Sequence, residues 1–326
     1  MLAKFFAENC VHHINFLTET LLHPLLPADM LFFERGWLSS NNLLLLGPDE
    51  AVLIDSGYCT HSTQTLSLVQ HALGARPLDR LLNTHLHSDH CGGNALLQAA
   101  WPNLQTLVPP GLAEAARSWN TVDLTYEPTG QTCPRFQVSG VLQPGASLFL
   151  AGRTWTVHAA PGHDPHSVIL FEPASRILLS ADALWEHGFG VVFPEIVGES
   201  GFKEIGETLD LIESLDPALV VPGHGAVFTD VANALVRARE RLALFMQQPV
   251  KHASHAAKVL LKFKLLELQR ISLIEFTQWS AASAYLRNLH ESHFAQENFA
   301  AWIDRLLDDL VRAKVMQRLG PELINI

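Results

Sequence analysis

The sequence predicts an α/β protein with one large and one smaller domain. Short apolar runs at residues 30–33, 42–46 and 51–54 have the length and composition of buried strands. They alternate with segments such as residues 63–73, in which apolar side chains recur at helical spacing. Apolar residues make up 48% of the 326 residues, which is ample for a core at this length. These features together favour layers of helices packed on sheets.

Three regions are expected along the chain. Residues 1–30 contain apolar residues that predict an amphipathic N-terminal extension, to which we assign no function. Residues 31–248 carry the alternation of strands and helices and form the predicted main domain. Pro249 follows two glutamines at the end of a helical segment and marks a boundary. Residues 249–326 predict a small, mainly helical C-terminal domain.

Composition and charge disfavour several classes of protein. Residues 1–250 hold 12 Lys and Arg against 25 Asp and Glu, whereas residues 251–326 hold ten against eight. An acidic main domain binds a phosphate backbone poorly, so a nucleic-acid partner is disfavoured. No apolar stretch reaches membrane-spanning length and the N-terminus lacks a secretory signal, which predicts a soluble protein without a membrane partner. Four cysteines without paired spacing favour reduced thiols in a cytoplasm.

A dense group of potential metal ligands lies in residues 83–94. Three histidines and one aspartate fall within six residues, namely His85, His87, Asp89 and His90. These donors suit zinc, and iron or manganese also tolerate the mixture. Histidines are commonly solvated or singly hydrogen-bonded in a core, but four potential ligands this close would repel or desolvate one another without a cation. The stretch joins a predicted buried strand to a predicted helix, where α/β proteins carry their sites, and we therefore predict a metal site here.

Single potential ligands follow three further predicted strands. His163 lies in a Pro-Gly-His turn, Asp182 follows a short apolar run, and His224 lies in a Pro-Gly-His-Gly turn. The same order of buried strand, tight turn and ligand thus repeats. Asp55 also ends a predicted strand, and we expect it to hold a ligand histidine or a loop amide, the alternative being a simple turn cap.

The order of these motifs resembles the metallo-β-lactamase-fold hydrolases, in the branch similar to glyoxalase II. The motifs are a His-x-His-x-Asp-His run, a Pro-Gly-His turn, an aspartate and a Pro-Gly-His-Gly turn. The resemblance covers about residues 30 to 245 and implies a four-layer αββα sandwich with a dinuclear site at one edge of two sheets. It implies two divalent metal ions, with zinc favoured and iron or manganese left open. By this resemblance seven side chains hold the ions: His85, His87 and His163 for one, Asp89, His90 and His224 for the other, and Asp182 as the bridge.

The resemblance also implies a mechanism. A water shared by two divalent ions loses its proton near neutral pH, and the resulting bridging hydroxide attacks the substrate. Asp89 has the position at which the family orients this nucleophile and passes a proton to the leaving group, so it is the predicted catalytic residue. Asp182 is absent from the metallo-β-lactamases themselves, and its presence here argues against lactam hydrolysis.

Four more residues are candidate contacts of the substrate or of the metal ligands. The loop at residues 182–190 is similar to the glyoxalase-like loop that follows the bridging aspartate. In it Trp185, His187 and Phe189 are candidates to line a substrate pocket, with ordinary packing as the alternative. His166, just past the Pro-Gly-His turn, is a further candidate to contact the substrate or a metal ligand. The simpler interpretation is that it is a solvated loop histidine.

The C-terminal region resembles the winged-helix-like domain of a subgroup of the same superfamily. Its spacing predicts helices over residues 256–263, 271–280, 281–289 and 300–311, with one short strand at 315–317. In relatives, such an appendage shapes the substrate entrance, mediates dimer contact or accompanies nuclease activity. The resemblance therefore leaves homodimer formation open.

The favoured interpretation is a metal-dependent hydrolase that cleaves a small ester, thioester or lactone. One alternative is an endoribonuclease or other phosphodiesterase, for which the slight positive charge of the C-terminal region is thin support. Another is a nonenzymatic metal-binding regulatory module, against which the full set of seven ligands argues. A single-iron sulfur dioxygenase is a further alternative, because ligand types alone do not fix the metal. The expected partner is a small-molecule substrate.

Overall fold

The computed structural model of the protein describes residues 23–326, so most of the predicted N-terminal extension lies outside the described residues. The strands of the first sheet are β1 (Met30–Phe33), β2 (Asn42–Leu46), β3 (Ala51–Ile54), β4 (Arg80–Leu82), β5 (Gln105–Val108) and β6 (Gly140–Val141). They are hydrogen-bonded in sequence order. The first three pair antiparallel, and β3 to β6 pair parallel. Parallel neighbours place their carboxyl ends at the same edge of a sheet.

A second sheet follows in the chain. Its strands are β7 (Ser147–Leu150), β8 (Arg153–Ala159), β9 (Val168–Glu172), β10 (Ile177–Ala181) and β11 (Leu219–Pro222). Their order in the sheet is β11-β10-β9-β8-β7. Strands β10 and β11 pair parallel, and the other neighbours pair antiparallel. Strands β8, β10 and β11 therefore run in one direction and end at the same edge.

Helices cover the outer faces of both sheets. The helices that accompany the sheets in the described part of the chain are α1 (Ser62–Leu73), α2 (Ser88–Cys91), α3 (Asn94–Ala100), α4 (Ala113–Ser118), α5 (Tyr126–Thr129), α6 (Phe202–Leu215) and α7 (Val231–Gln247). Helices α1 and α3 pack on the first sheet through Val69 and Leu97. Helix α6 buries Ile205 and Leu209 against the second sheet, and α7 packs beside it.

The inner faces of the two sheets form one apolar core. Leu45 and Ile54 of the first sheet meet Trp155, Val157 and Leu170 of the second, all buried. Because successive strand residues point to opposite faces, the same strands also supply the outer layers. The layers are therefore helix, sheet, sheet and helix, and the predicted αββα sandwich is confirmed.

The C-terminal region consists of four helices and a small sheet. The elements are α8 (Pro249–Leu268), β12 (Arg270–Ser272), α9 (Leu273–Ala282), α10 (Ala284–His293), α11 (Phe299–Arg312), β13 (Met316–Leu319) and β14 (Glu322–Asn325). Its three strands pair antiparallel in the order β12-β14-β13. No helix in the described part of the chain is both long enough and apolar enough to cross a bilayer.

All four helices of this region begin elsewhere than predicted, at residues 249, 273, 284 and 299 instead of 256, 271, 281 and 300. Helix α8 starts at Pro249, seven residues before the predicted start, because proline at the first helical position loses no intrahelical hydrogen bond. Helix α9 starts at Leu273 because Ser272 caps it: the Ser272 Oγ accepts from the Glu275 amide and donates to the Glu275 carboxylate. Helix α7 ends at Gln247, and we keep the domain boundary at residue 248 as a proposal.

Trp155→Ala should lower the free energy of unfolding by about 3–5 kcal/mol, because it removes a fully buried ring between the sheets and leaves a cavity. Trp155→Phe should lower the free energy of unfolding by less than half of that amount. Most of the ring volume stays, and Trp155 Nε1 has no hydrogen-bond partner among the described residues. Phe149→Ala is the control, because that side chain on β7 is 67% exposed. Equilibrium unfolding in urea measures all three, and equal losses for the two alanine variants would contradict the position of Trp155.

Candidate metal centre

Three histidines from two loops meet at the edge where the strands end. The loop after β4 carries His85 and His87, and the loop after β8 carries His163. His87 Nδ1 lies 3.0 Å from His85 Nε2 and 2.9 Å from His163 Nε2. All three side chains are buried. The three nitrogens form a group that could hold one metal ion.

A second donor group lies beside the first. Helix α2 is a single turn, and it presents Asp89 and His90 from the same loop. His224 follows β11, and its Nε2 lies 3.2 Å from Asp89 Oδ2. The three donor atoms lie within 4.8 Å of one another, so they could hold another ion.

Asp182 lies between the two groups. One carboxylate oxygen, Oδ2, is 3.3 Å from His163 Nε2 and 3.9 Å from His224 Nε2. The other oxygen, Oδ1, is 3.5 Å from His90 Nε2. The carboxylate thus reaches donors of both groups. The structure brings together all seven residues that the sequence predicted as ligands.

The protonation of the imidazoles fits a bound cation. Burial lowers the pKa of His163 to about 4, although the nearby Asp182 carboxylate opposes the shift. Burial, with the neighbouring histidines, holds the pKa of His85 well below its usual range. Both rings are therefore neutral near pH 7 and keep a lone pair for a metal ion. His90 Nε2 is buried and has no hydrogen-bond partner in the part of the chain that the structure describes, as expected of a ligand atom.

Asp55 fixes the orientation of His90. Its Oδ2 accepts hydrogen bonds from His90 Nδ1 at 2.8 Å and from Thr84 Oγ1 at 2.8 Å, while Oδ1 accepts from the Thr84 amide at 2.9 Å. Because Nδ1 donates to the carboxylate, Nε2 is left to face the other donors. Burial opposes a charge on His90, but Asp55, Asp182 and Asp89 together raise its pKa well above the usual range. A metal ion that neutralises these carboxylates would remove that effect.

Two glycines let the backbone approach the site closely. A Cβ at Gly223 would clash with Asp182 Oδ1, and a Cβ at Gly190 would clash with the His163 ring. The segment that follows Gly190 also orients His163, whose Nδ1 donates to Val191 O at 2.6 Å. The backbone therefore restrains the positions of both His163 and Asp182.

The family model of the metallo-beta-lactamase superfamily matches residues 35–224, which contain all seven potential ligands. The chain belongs to this superfamily. It is a metal-dependent hydrolase. The predicted resemblance to the superfamily is therefore confirmed.

Relatives and solved structures agree with this assignment. A hydroxyacylglutathione hydrolase from Yersinia pestis (strain Pestoides F) is 26% identical over 214 residues, which cover 65% of this chain and 70% of that protein. A metallo-beta-lactamase family protein from Thermus thermophilus has a TM-score of 0.54 at 19% identity, covering 91% of this chain and 98% of the other. A metallo-beta-lactamase from Cronobacter sakazakii has a TM-score of 0.53 at 18% identity, covering 69% and 96%. The two structures support the fold, and the relative supports the glyoxalase II-like branch.

The other candidate residues of this superfamily member lie in different surroundings. Trp185 lines the pocket above the donor groups, and its Nε1 donates to Asp182 Oδ1 at 3.3 Å. Phe189 is instead fully buried in the core between the second sheet and its helices. His187 is exposed, and its Nε2 lies 3.8 Å from a Glu186 carboxylate oxygen. His166 is exposed and packs on the backbone of Gly111.

Sequence reasoning missed residues whose contacts are long-range. Trp37 stacks on His224, with ring centroids 5.3 Å apart and planes 9° apart. Phe193 packs edge-on against His87 at 4.7 Å between centroids. Asp164 Oδ2 lies 3.7 Å from His87 Nε2. Of these, Asp164 alone carried a signal, because an acidic residue directly follows His163 in the motif.

Asp55→Asn should weaken metal binding about 10- to 100-fold, because the amide has one acceptor oxygen and cannot receive all three hydrogen bonds. Asn tolerates the left-handed backbone of this position, where φ is 56°, so the fold should persist. Competition with a chromophoric chelator measures the affinity. The matched control is Asp49→Asn at an exposed turn, and equal affinity in both variants would refute the role of Asp55.

Gly223→Ala should displace the Asp182 carboxylate and reduce the metal content of the purified protein. Gly206→Ala is the control, because its Cβ would meet only Leu242 Cδ2 at 3.6 Å inside α6. Removing a helical glycine should raise stability by up to about 1 kcal/mol. Elemental analysis and thermal unfolding test the pair. Full metal content in Gly223→Ala would show that the backbone there can move away.

Proposed function

We propose that the protein is a dinuclear metal-dependent hydrolase that cleaves a small ester, thioester or lactone. The observation that carries the proposal is the position of Asp182, which lies within 3.9 Å of donor atoms from both metal-binding groups. A carboxylate at this position suits a bridge between two cations. A site for a single ion would leave one group of buried donors without a partner.

We assign the ligands by donor group. One ion would be held by His85, His87 and His163, the other by Asp89, His90 and His224, and both by Asp182. The set has nitrogen and oxygen donors and no thiolate, so we propose zinc, with iron or manganese as alternatives. When bound, two divalent ions acidify a shared water to give a hydroxide nucleophile near pH 7 and polarise the substrate oxygen.

Asp89 is our candidate for the proton transfers. Both Asp89 and Asp182 line the pocket, but the Asp89 side chain is 15% exposed and the Asp182 side chain only 6%. The more accessible carboxylate is better placed to orient the attacking water and to carry its proton to the leaving group. Trp185 restrains Asp182 through the indole hydrogen bond, which keeps that carboxylate between the donor groups.

The pocket supports a small-molecule substrate. Its wall beside the donor groups includes Trp37, Trp185 and Phe193, and an apolar lining around a few polar groups is typical of small-molecule sites. The relative from Yersinia pestis is named for hydrolysis of an acylglutathione, which supports acyl hydrolysis here. In this proposal Trp185 contacts the substrate, whereas Asp55 acts on it only through His90.

Three further expectations belong to the same proposal. We propose a cytoplasmic protein, supported by Cys59, Cys91 and Cys133, which are free thiols in the described structure. We leave homodimer formation open. A nucleic-acid substrate is disfavoured because residues 1–250, which contain all the candidate ligands, hold 12 Lys and Arg against 25 Asp and Glu.

Asp182→Ala should lose metal and turnover together, because both donor groups lose their shared carboxylate. Asp210→Ala, at an exposed position of α6, should keep both. Elemental analysis is combined with a screen of thioesters, esters, lactones, phosphodiesters and structured RNA. Chelation should abolish turnover, and added zinc, manganese or iron should restore it. Cleavage of RNA alone, or two bound metals without any turnover, would overturn the proposal.

A further inference from the structure

Helix α8 has two apolar faces. One face is buried in the core of the C-terminal region and consists of Ala253, Ala256, Ala257, Leu260, Leu261 and Leu265. Small residues on this face let α8 approach its neighbours closely. On the other side of the helix Val259 packs at the margin of this core, and Phe263 lies edge-on against the buried Tyr58 with 5.2 Å between ring centroids. Both residues also line the pocket.

The other face lines the pocket above the donor groups. Val259, Phe263 and Leu266 recur at spacings of four and three residues, so they share one side of α8. All three are only partly buried. We call these three residues the α8 stripe. Trp37 and Phe193 also line the pocket and add apolar surface to its wall.

The cationic and histidine side chains near the α8 stripe are engaged elsewhere. Lys262 donates to Val315 O and Asn325 Oδ1, which ties α8 to the C-terminal sheet. His255 Nε2 lies 2.7 Å from Arg241 Nη2 and must accept, because a guanidinium can only donate. Arg241 itself lies against an aromatic ring, 5.3 Å from the Phe245 centroid.

We propose that the α8 stripe binds an apolar acyl group, so that the substrate is a medium-chain acyl thioester or ester rather than a glutathione conjugate. This inference rests on the proposed acyl hydrolysis. Glutathione carries two carboxylates, which cations recognise most strongly. Lys262 and His255 line the pocket but already bind groups within the chain. An apolar chain instead gains affinity from every methylene that leaves water.

The length of the stripe sets the length of the acyl group. Val259 and Leu266 are seven residues apart, which is about 10 Å along a helix. A linear acyl group of roughly eight carbons, with bonds of about 1.5 Å, covers this distance. A bulkier side chain at Val259 should therefore shorten the acyl group that fits.

The first test is a series of acyl thioesters, from acetyl to decanoyl, on one small neutral thiol. The full-length, metal-loaded protein should show kcat/KM rising about three- to fourfold per methylene to about eight carbons. Val259→Phe should lower kcat/KM for octanoyl by at least about tenfold and leave acetyl within about twofold. Leu268→Phe is the matched control, because Leu268 is on the same helix and 40% exposed. A flat series, or a 2-hydroxyacyl-glutathione preferred over every member, would overturn the inference.

The second test measures binding of the acyl chain and does not depend on turnover. Linear alkanoates of two to ten carbons are titrated while the fluorescence of Trp37 and Trp185, which line the pocket, is followed. Because the carboxylate is the same in every alkanoate, a Kd that falls with chain length measures contact of the chain with the α8 stripe. In Val259→Phe the Kd should stop falling beyond short chains. If no ester or thioester is hydrolysed, the proposed function fails, and the alkanoate series still decides the inference. A Kd independent of chain length would then refute it.

Discussion

The buried carboxylate of Asp55 connects the architecture of the first sheet to the metal centre. Strands β3 and β4 are parallel neighbours, so the residues that follow them emerge side by side. Asp55 leaves β3 with a left-handed backbone, and this turns its carboxylate toward Thr84 and His90. The two oxygens of Asp55 accept three hydrogen bonds from Thr84 and His90. These bonds hold the loop that carries the candidate ligands and determine which nitrogen of His90 faces the site. Without this interaction the spacing of the histidines in the sequence would not fix their geometry in space.

The donors of the centre come from both sheets, and this couples metal binding to folding. His85, His87, Asp89 and His90 follow a strand of the first sheet. His163, Asp182 and His224 follow strands of the second. A cation bound between them therefore ties the sheets together at an edge where the apolar core ends. In its absence the site concentrates buried imidazoles and carboxylates, which is a cost that the Trp155 core and the helical layers must offset.

The candidate ligands could be predicted from the sequence because each is specified locally. A short apolar run predicts a strand, and the motif after it carries His85 or His224 to the strand end. The pocket could not be predicted in the same way, because Trp37 and Phe193 reach the ligands through tertiary packing. Helix α8 illustrates the same limit: its periodicity shows two apolar faces, but not that one of them faces the metal centre. Phe189 looks equivalent to Trp185 in the sequence, yet the fold puts it in the core.

The candidate metal centre and the α8 stripe lie in different segments of the chain. The segment matched by the superfamily model, residues 35–224, contains every donor of the metal centre, whereas α8 lies beyond it. In our proposal residues 35–224 carry the chemistry, whereas selection of the substrate combines α8 with Trp37, Trp185 and Phe193 of that segment. The formal charge of −11 adds a long-range repulsion of anions, which disfavours a substrate with two carboxylates. In our proposal the apolar stripe and the acidic surface act in the same direction, because each favours an uncharged acyl group over a conjugate such as acylglutathione.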